Sequence, residues 1–328
     1  MDRRRFLATA AAAPFALSTG TAFARSLGGT PLALVTADVE SRVAVYDLAA
    51  RRLRSFITTP PGPKSIETVG DGRFALVAHT ASGAISLIDV ATLRVCHVLH
   101  GFVEPRYTAA LPTAAGSAVG AASLALVTDA GTGELVTVDV FSGRVVNRLA
   151  VGAHAWHVSL DPLSLTLWTA LGFSAPEIVA VDLTGQRPRV AARIAPPYHA
   201  HDVVFAPDGK HVWVTSGDER RIGVWNAATR RLLFTLEDGT PPQHVAFTSH
   251  AAYVTSDDAV RVHRLADGEL LRTTPVPGGS YNVTQGWNRV LTPSLEQGTL
   301  AVLDRQGHLL TAPKVARAAH DACVVAGV

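Results

Sequence analysis

Two adjacent positions, recurring every 38 to 50 residues, hold most of the side chains in this sequence that could do chemistry. The first is occupied in turn by His320, Lys64, Arg106, Trp156, His201, Gln243 and Tyr281, the second by Asp321, Ser65, Tyr107, His157, Asp202, His244 and Asn282. Nearly all are polar or aromatic, and four of the chain's thirteen histidines stand there. His154 and His199 lie just upstream on the same connections. Three chemistries fit such a set. A metal site would take His157, His201, His244 and His320 as ligands, with Asp202 and Asp321 as further ligands or as their supports; a histidine-rich shell suits zinc or copper. A general acid or base would be a histidine held in one tautomer by an aspartate, for lactone opening or elimination. The third possibility is structural, each polar residue capping its own strand. A small-molecule site at the same place would also use Arg106 and Tyr281. His201 stands at the first position and His157 and His244 at the second; because side chains alternate along a strand, the two sets need not aim at one point.

The elements that carry these positions are legible in residues 201–236. An apolar run from Val203 to Phe205 meets the turn Pro207-Asp208-Gly209, followed by runs at His211 to Thr215, Ile222 to Trp225 and Leu232 to Leu236. Short runs of β-branched and aromatic residues separated by Asp-Gly turns predict antiparallel hairpins. The end of the third run recurs at Asp47, Asp89, Asp139, Asp182, Asn226, Arg264 and Asp304, at intervals of 42, 50, 43, 44, 38 and 40 residues. That is the period of a four-stranded propeller blade, and seven marks predict seven blades. The aspartates themselves read as Asx turns closing the hairpin. Residues 31–58 supply only three strands, and the missing innermost one is found at His320 to Val325, so the C-terminal tail is expected to complete blade one and close the ring. The other blades are expected at about 63–100, 105–151, 155–195, 200–237, 242–276 and 280–315. Blade three carries a small-residue insert at 112–122, and blade four an extended connection at 172–177. In a propeller the innermost strands line the axial channel, so the paired positions should gather around one mouth.

The Pro-Asp-Gly turn followed by Val-Trp-Val-Thr at 212–215, and the Tyr-Val-Thr at 253–255, resemble the YVTN/YncE-type, WD40-like propeller repeat. The resemblance spans about residues 31–328 and implies an all-β, single seven-bladed propeller. What it implies about activity is open, because propellers of this kind include binding scaffolds, lactonases, lyases and proteins of haem d1 or quinoprotein systems.

The N-terminus points to export. Arg3-Arg4-Arg5-Phe6-Leu7 precedes an apolar run from Ala8 to Leu17, and Ala22-Phe23-Ala24 offers a cleavage site. This is the pattern of a twin-arginine signal peptide over residues 1–24, leaving 25–328 as a periplasmic or secreted propeller with no membrane span in its mature form. A folded-cargo route is compatible with a cofactor, a divalent metal or a redox group, inserted before transport. A net charge of +2 supplies no basic field for nucleic acid. The expected partners are a small ligand or another periplasmic protein, and the expected state is a monomer. Nucleotide-binding loops, a C-x-x-C-H haem attachment and a G-x-S-x-G elbow are absent from the sequence. Cys96 and Cys323 fall on an outermost and an innermost strand, too far apart for a disulfide, and are expected to be small buried hydrophobes. Glu67 and His79 are further candidates for the channel wall. Trp168, Trp213 and Trp225 are expected to pack between blades, and His97, His100 and His263 to lie at the surface.

Overall fold

The computed structural model describes residues 29–111, 124–161, 163–185 and 187–327. The expected signal peptide and the insert at 112–122 lie outside these. Seven four-stranded antiparallel sheets form a ring. Blade one pairs the C-terminal β28 (Ala319–Gly327) with β1 (Thr30–Ala37), β2 (Arg42–Asp47) and β3 (Arg52–Thr58). Blade two is β4 (Pro63–Val69), β5 (Phe74–His79), β6 (Ala84–Asp89) and β7 (Arg94–His100), and blade three is β8 (Pro105–Ala110), β9 (Leu124–Asp129), β10 (Glu134–Asp139) and β11 (Arg144–Ala150). Blade four comprises β12 (Ala155–Asp161), β13 (Thr166–Leu171), β14 (Ile178–Asp182) and β15 (Arg189–Ile194). Blade five comprises β16 (Val203–Phe205), β17 (His211–Ser216), β18 (Arg221–Asn226) and β19 (Arg231–Glu237). The ring is completed by blade six, β20 (Val245–Phe247), β21 (Ala251–Thr255), β22 (Ala259–Arg264) and β23 (Leu270–Pro275), and blade seven, β24 (Thr284–Gly286), β25 (Arg289–Pro293), β26 (Leu300–Leu303) and β27 (Leu309–Thr311).

Closure runs as the sequence predicts: β28 pairs with β1 from Thr30↔Gly327 to Ala37↔Ala319, so the two ends of the chain share one sheet. The third-to-fourth strand hairpins are closed by Asx turns. Asp47 accepts from the amides of Ala49 and Ala50, Asp139 from Phe141 and Ser142, and Asn226 from Thr229.

Apolar residues of the two inner sheet layers face the neighbouring blade, so the core is seven clusters, each straddling one blade boundary. Between blades four and five, Trp168 and Trp225 meet edge to face at 6.4 Å among Ile178, Val203 and Val214. Between blades five and six, Trp213 packs with Ile222 and Phe247. The inter-blade role expected of the three tryptophans is what the structure shows. Outermost strands are mostly exposed, as an edge that faces solvent requires.

Two expectations need correction. Cys96 is exposed on β7, because outer-strand residues of its parity face solvent, whereas Cys323 is buried; neither is in a disulfide. His263 is buried rather than superficial, since the third strand is still an inner layer there, and its Nδ1 donates to the carbonyl of Gly268.

Candidate functional site

The paired positions enter the innermost strands at irregularities that recur around the ring. The register between first and second strands shifts at Pro63/Ile66 in blade two, Pro105/Thr108 in blade three and Ala155/Val158 in blade four. Lys64-Ser65, Arg106-Tyr107 and Trp156-His157 each fall inside the shift. Such bulges re-aim side chains and lift the strict alternation of a strand. In blades five and six the pair precedes the regular ladder, and one threonine faces both residues: Thr215 accepts at its carbonyl from His201 and donates its amide to Asp202, and Thr255 does the same for Gln243 and His244.

The same threonines fasten each mouth residue to the next blade. Thr215 Oγ1 accepts from the amide of Asp202 and donates to the carbonyl of Gln243, 2.6 Å away. Thr36 links Asp321 to Lys64, Thr128 links Tyr107 to Trp156, and Thr255 links His244 to Tyr281. The final residue of the Val-Thr strand is therefore a clamp between consecutive entries to the mouth. Its sequence signal was visible as part of the repeat, but its role needed the pairing.

Three of the four candidate histidines converge. One ring nitrogen from each of His157, His201 and His244 lies within 4.8 Å of the others; His157 and His201 are buried, and the His244 side chain is 12% exposed. Ring centroids are 4.5 Å apart for His157 and His201, 4.5 Å for His157 and His244, and 5.4 Å for His201 and His244. Tyr107, from blade three, places its centroid 4.1 Å from His157 and 5.8 Å from His244, so side chains of blades three, four and six meet.

Each of the three has its Nδ1 turned to an oxygen. His157 Nδ1 donates to the carbonyl of His201, and His201 Nδ1 to the carbonyl of Phe173 at 2.8 Å. His244 Nδ1 lies 3.4 Å from Asp202 Oδ2. A carbonyl only accepts, so the proton sits on Nδ1 and the lone pair on Nε2. His157 Nε2 is buried with no hydrogen-bond partner. Burial, with the charge His201 and His244 would carry, holds His157 well below the usual imidazole range. Burial and His244 bring His201 down to about 4. Both rings are uncharged at neutral pH, the form that binds metal.

Asp202 braces this group. Its Oδ1 accepts from the amide of Val203 at 2.9 Å, and its Oδ2 from the amide of Val245 at 3.1 Å, spanning blades five and six. Phe173 lies on the extended connection of blade four, which is pinned by paired hydrogen bonds between Ala175 and Ala200. Its ring is 4.5 Å from His201. Nothing in the sequence marked Phe173, because its polar contribution is a main-chain carbonyl.

His320 lies apart from the three. Its Nδ1 is 3.3 Å from Asp38 Oδ2, which also faces Lys64 Nζ at 3.8 Å. Burial alone would raise the Asp38 carboxyl, but the hydrogen bond from His320 and the charge of Lys64 hold it below the usual range. Asp321 accepts from the amides of Ile66 and Ala322, capping the entries of blades two and one, and burial pushes its carboxyl up. Arg106 pairs with Glu104 and stacks 3.9 Å over Trp156. Tyr281 lies at blade seven beside Asp257, and burial together with that carboxylate pushes its hydroxyl up to about 12. Glu67 is half-buried near Asp321, and burial together with that carboxylate raises it to about 8. His79 is buried against Ser86, 2.7 Å away, and burial lowers it to about 4.

A groove of about 610 Å³ on blade four is lined by His154, Trp156, Leu171, Phe173, Pro176 and Arg193 among others, and by none of the three histidines. Among the described residues, no helix is long and apolar enough to cross a membrane.

No protein-family model and no curated protein sequence matches this chain. Solved structures do. Hydrazine synthase of Kuenenia stuttgartiensis superimposes with a TM-score of 0.70 at 14% identity, over 84% of this chain and 92% of that one. A functionally unknown protein from Desulfotomaculum acetoxidans DSM 771 gives 0.74 at 12% identity, over 90% and 99%. The dihydro-heme d1 dehydrogenase NirN in complex with DHE gives 0.64 at 16% identity, over 86% of this chain and 63% of that one. At these identities the likeness is one of fold, and the chain is a seven-bladed β-propeller.

Proposed function

We propose that this chain is an exported propeller of the YVTN/YncE type that binds a divalent transition metal, zinc or copper, at its channel mouth. The centre would be presented to a small ligand or to another periplasmic protein. The observation that carries the reading is the shared orientation of His157, His201 and His244, with Nδ1 of each directed to an oxygen and one nitrogen of each within 4.8 Å of the others. Metal-bound histidines use their second nitrogen in this way, and the oxygen partner fixes both tautomer and ring orientation. A Zn–N bond of about 2.1 Å would draw the three nitrogens to about 3.4 Å apart. Side-chain rotations of about an ångström would complete that shell. Acid–base chemistry at these histidines is less well supported: His157 and His201 are depressed far below neutrality, and the best general bases titrate near the working pH.

The localisation rests on the twin-arginine pattern at 3–7 and the small-residue site at 22–24. The alternative role, in a redox-cofactor pathway, has fold likeness alone behind it.

One experiment tests both readings: elemental analysis and a visible spectrum of protein exported through its own signal. The comparison is a variant with His157, His201 and His244 all replaced by alanine. About one metal per chain in the wild type and none in the variant is the expected result. Metal-free wild type that fails to bind added Zn²⁺ or Cu²⁺ overturns the metal reading, and an intense cofactor band that survives the substitutions favours the redox alternative.

A further inference from the structure

We infer that Ser174 and Asp218 are positioning residues for the metal centre: their contact at the rim of the mouth latches a strap that sets the imidazoles of His201 and His157. The inference rests on the metal reading above and adds the device that tunes it.

The strap is the connection 172–177, which leaves β13 of blade four and meets the entry of blade five. It is held at three points. Ala175 and Ala200 exchange main-chain hydrogen bonds of 2.6 and 2.8 Å. The Ser174 hydroxyl donates to Asp218 Oδ2, on the turn between β17 and β18 of blade five. The Phe173 carbonyl accepts from His201 Nδ1 at 2.8 Å, with the Phe173 ring 4.5 Å from the same imidazole. Gly172 starts the strap at φ +130°, a conformation that favours glycine, so its direction is set in the backbone.

The three points act on the centre in sequence. Ala200 precedes His201, so its pairing with Ala175 holds the His201 backbone while the Phe173 carbonyl holds the His201 ring. The His201 carbonyl in turn accepts from His157 Nδ1. The strap therefore orients two of the three imidazoles, keeping the proton on Nδ1 and leaving Nε2 for the metal. His244 is braced separately, by Asp202. The carbonyl that faces His201 belongs to the planar peptide joining Phe173 to Ser174, and a turn of that plane would carry the oxygen away from Nδ1. The Ser174 side chain, tied to Asp218, holds the plane in place. Asp218 Oδ2 also lies 3.8 Å from His199 Nδ1, too far for a hydrogen bond. Ser174 and Asp218 are both exposed, so the latch adds little to the stability of the ring and its effect belongs at the centre.

The test compares the full-length wild type with Ser174→Ala, Ser174→Thr and Asp218→Ala. Zn²⁺ affinity is read by competition with a chelator, and the His201 tautomer in metal-free protein by imidazole nitrogen NMR. Ser174→Ala and Asp218→Ala should each weaken Zn²⁺ binding about 10-fold, the scale of losing an outer partner of a ligating histidine. Both should also mix the Nε2–H tautomer into the His201 signal, while the thermal transition stays in place. Ser174→Thr, which keeps the hydroxyl, should retain the affinity and the signal of the wild type. Wild-type affinity with an unmoved His201 signal in Ser174→Ala and Asp218→Ala overturns the inference and leaves the metal reading standing. So does a Ser174→Thr chain that loses as much as Ser174→Ala. A wild type that binds no Zn²⁺ removes the metal reading; the His201 signal then decides the latch by itself, and overturns it if neither alanine variant moves it.

Discussion

Two sides of one channel mouth carry the same residue types and end in opposite states. On the side of blades four to six, His157, His201 and His244 face one another with their Nδ1 atoms turned to two main-chain carbonyls and the Asp202 carboxylate. On the side of blade one, His320 meets Asp38, and Asp38 meets Lys64. The difference lies in what stands opposite each ring. His320 and His244 each meet a carboxylate, whereas His157 and His201 turn their Nδ1 atoms to main-chain carbonyls, and burial together with the neighbouring imidazoles holds these two rings uncharged at neutral pH, with lone pairs to offer. The paired corner is also where the ring closes, through β28. One side serves stability, and the other is left chemically open.

The severest way to break the comparison is to remove the closing corner. Deletion of residues 319–328 strips blade one of its innermost strand and takes Ala319, Ala322, Cys323 and Val325 out of two inter-blade clusters. The expected outcome is loss of the cooperative thermal transition by calorimetry. A truncated chain that melts like the intact one would show that closure resides elsewhere.

Acid separates the two sides next. The folded pKa of His201, about 4, lies below its ordinary 6.5, so between those values the unfolded chain binds the extra proton. Its contribution is therefore whole above pH 6.5 and lost as pH falls to about 4, a cost of about 3 kcal/mol. Asp38 is lowered from 3.8, so its contribution persists through that window and is lost only below it. Glu67 acts in the other sense: raised from 4.5 to about 8, it removes stability as pH rises between those values. Comparing metal-free wild type with His201→Ala by denaturant melts from pH 7 to 4 cancels the Glu67 contribution. The wild type should lose more stability on acidification than the variant. Equal losses would mean that the cluster does not carry the penalty.

The smallest effects sharpen the contrast. Asp202→Asn should weaken metal binding by about 10- to 100-fold, the usual cost of losing a carboxylate that orients a ligating histidine. His320→Ala should leave metal affinity unchanged and cost no more than about 1 kcal/mol of stability, as partly exposed ion pairs do. Isothermal titration on both variants decides it; a large metal defect in His320→Ala would place His320 in the centre after all.

The ring itself was readable from residue order. Turn marks at 40-residue intervals, Asx chemistry at their ends and a three-strand start matched by a one-strand finish are local features, and local features survive in a sequence. Tryptophans at 168, 213 and 225 declared the inter-blade core in the same way. The candidate site was readable only as a set of positions. Its members were right in type, but strand alternation left open whether His201 and His157 would aim at one point, and the bulged or irregular entries let them do so. The carbonyl of Phe173 carries no residue signature. Asp38, which draws His320 away, belongs to a different connection of blade one. Cys96 and His263 likewise went against expectation, because exposure depends on layer and alternation together.

What the sequence determined alone was the repeat: hydrophobic alternation and turn residues act within a few positions of each other, so their message is complete in one dimension. Which histidines meet was settled by the ring. His157, His201 and His244 lie 44 and 43 residues apart, and only closure of seven blades around an axis brings such distant entries to one mouth. There the balance of charge among neighbours from different blades decides which ring is paired and which is left free to bind.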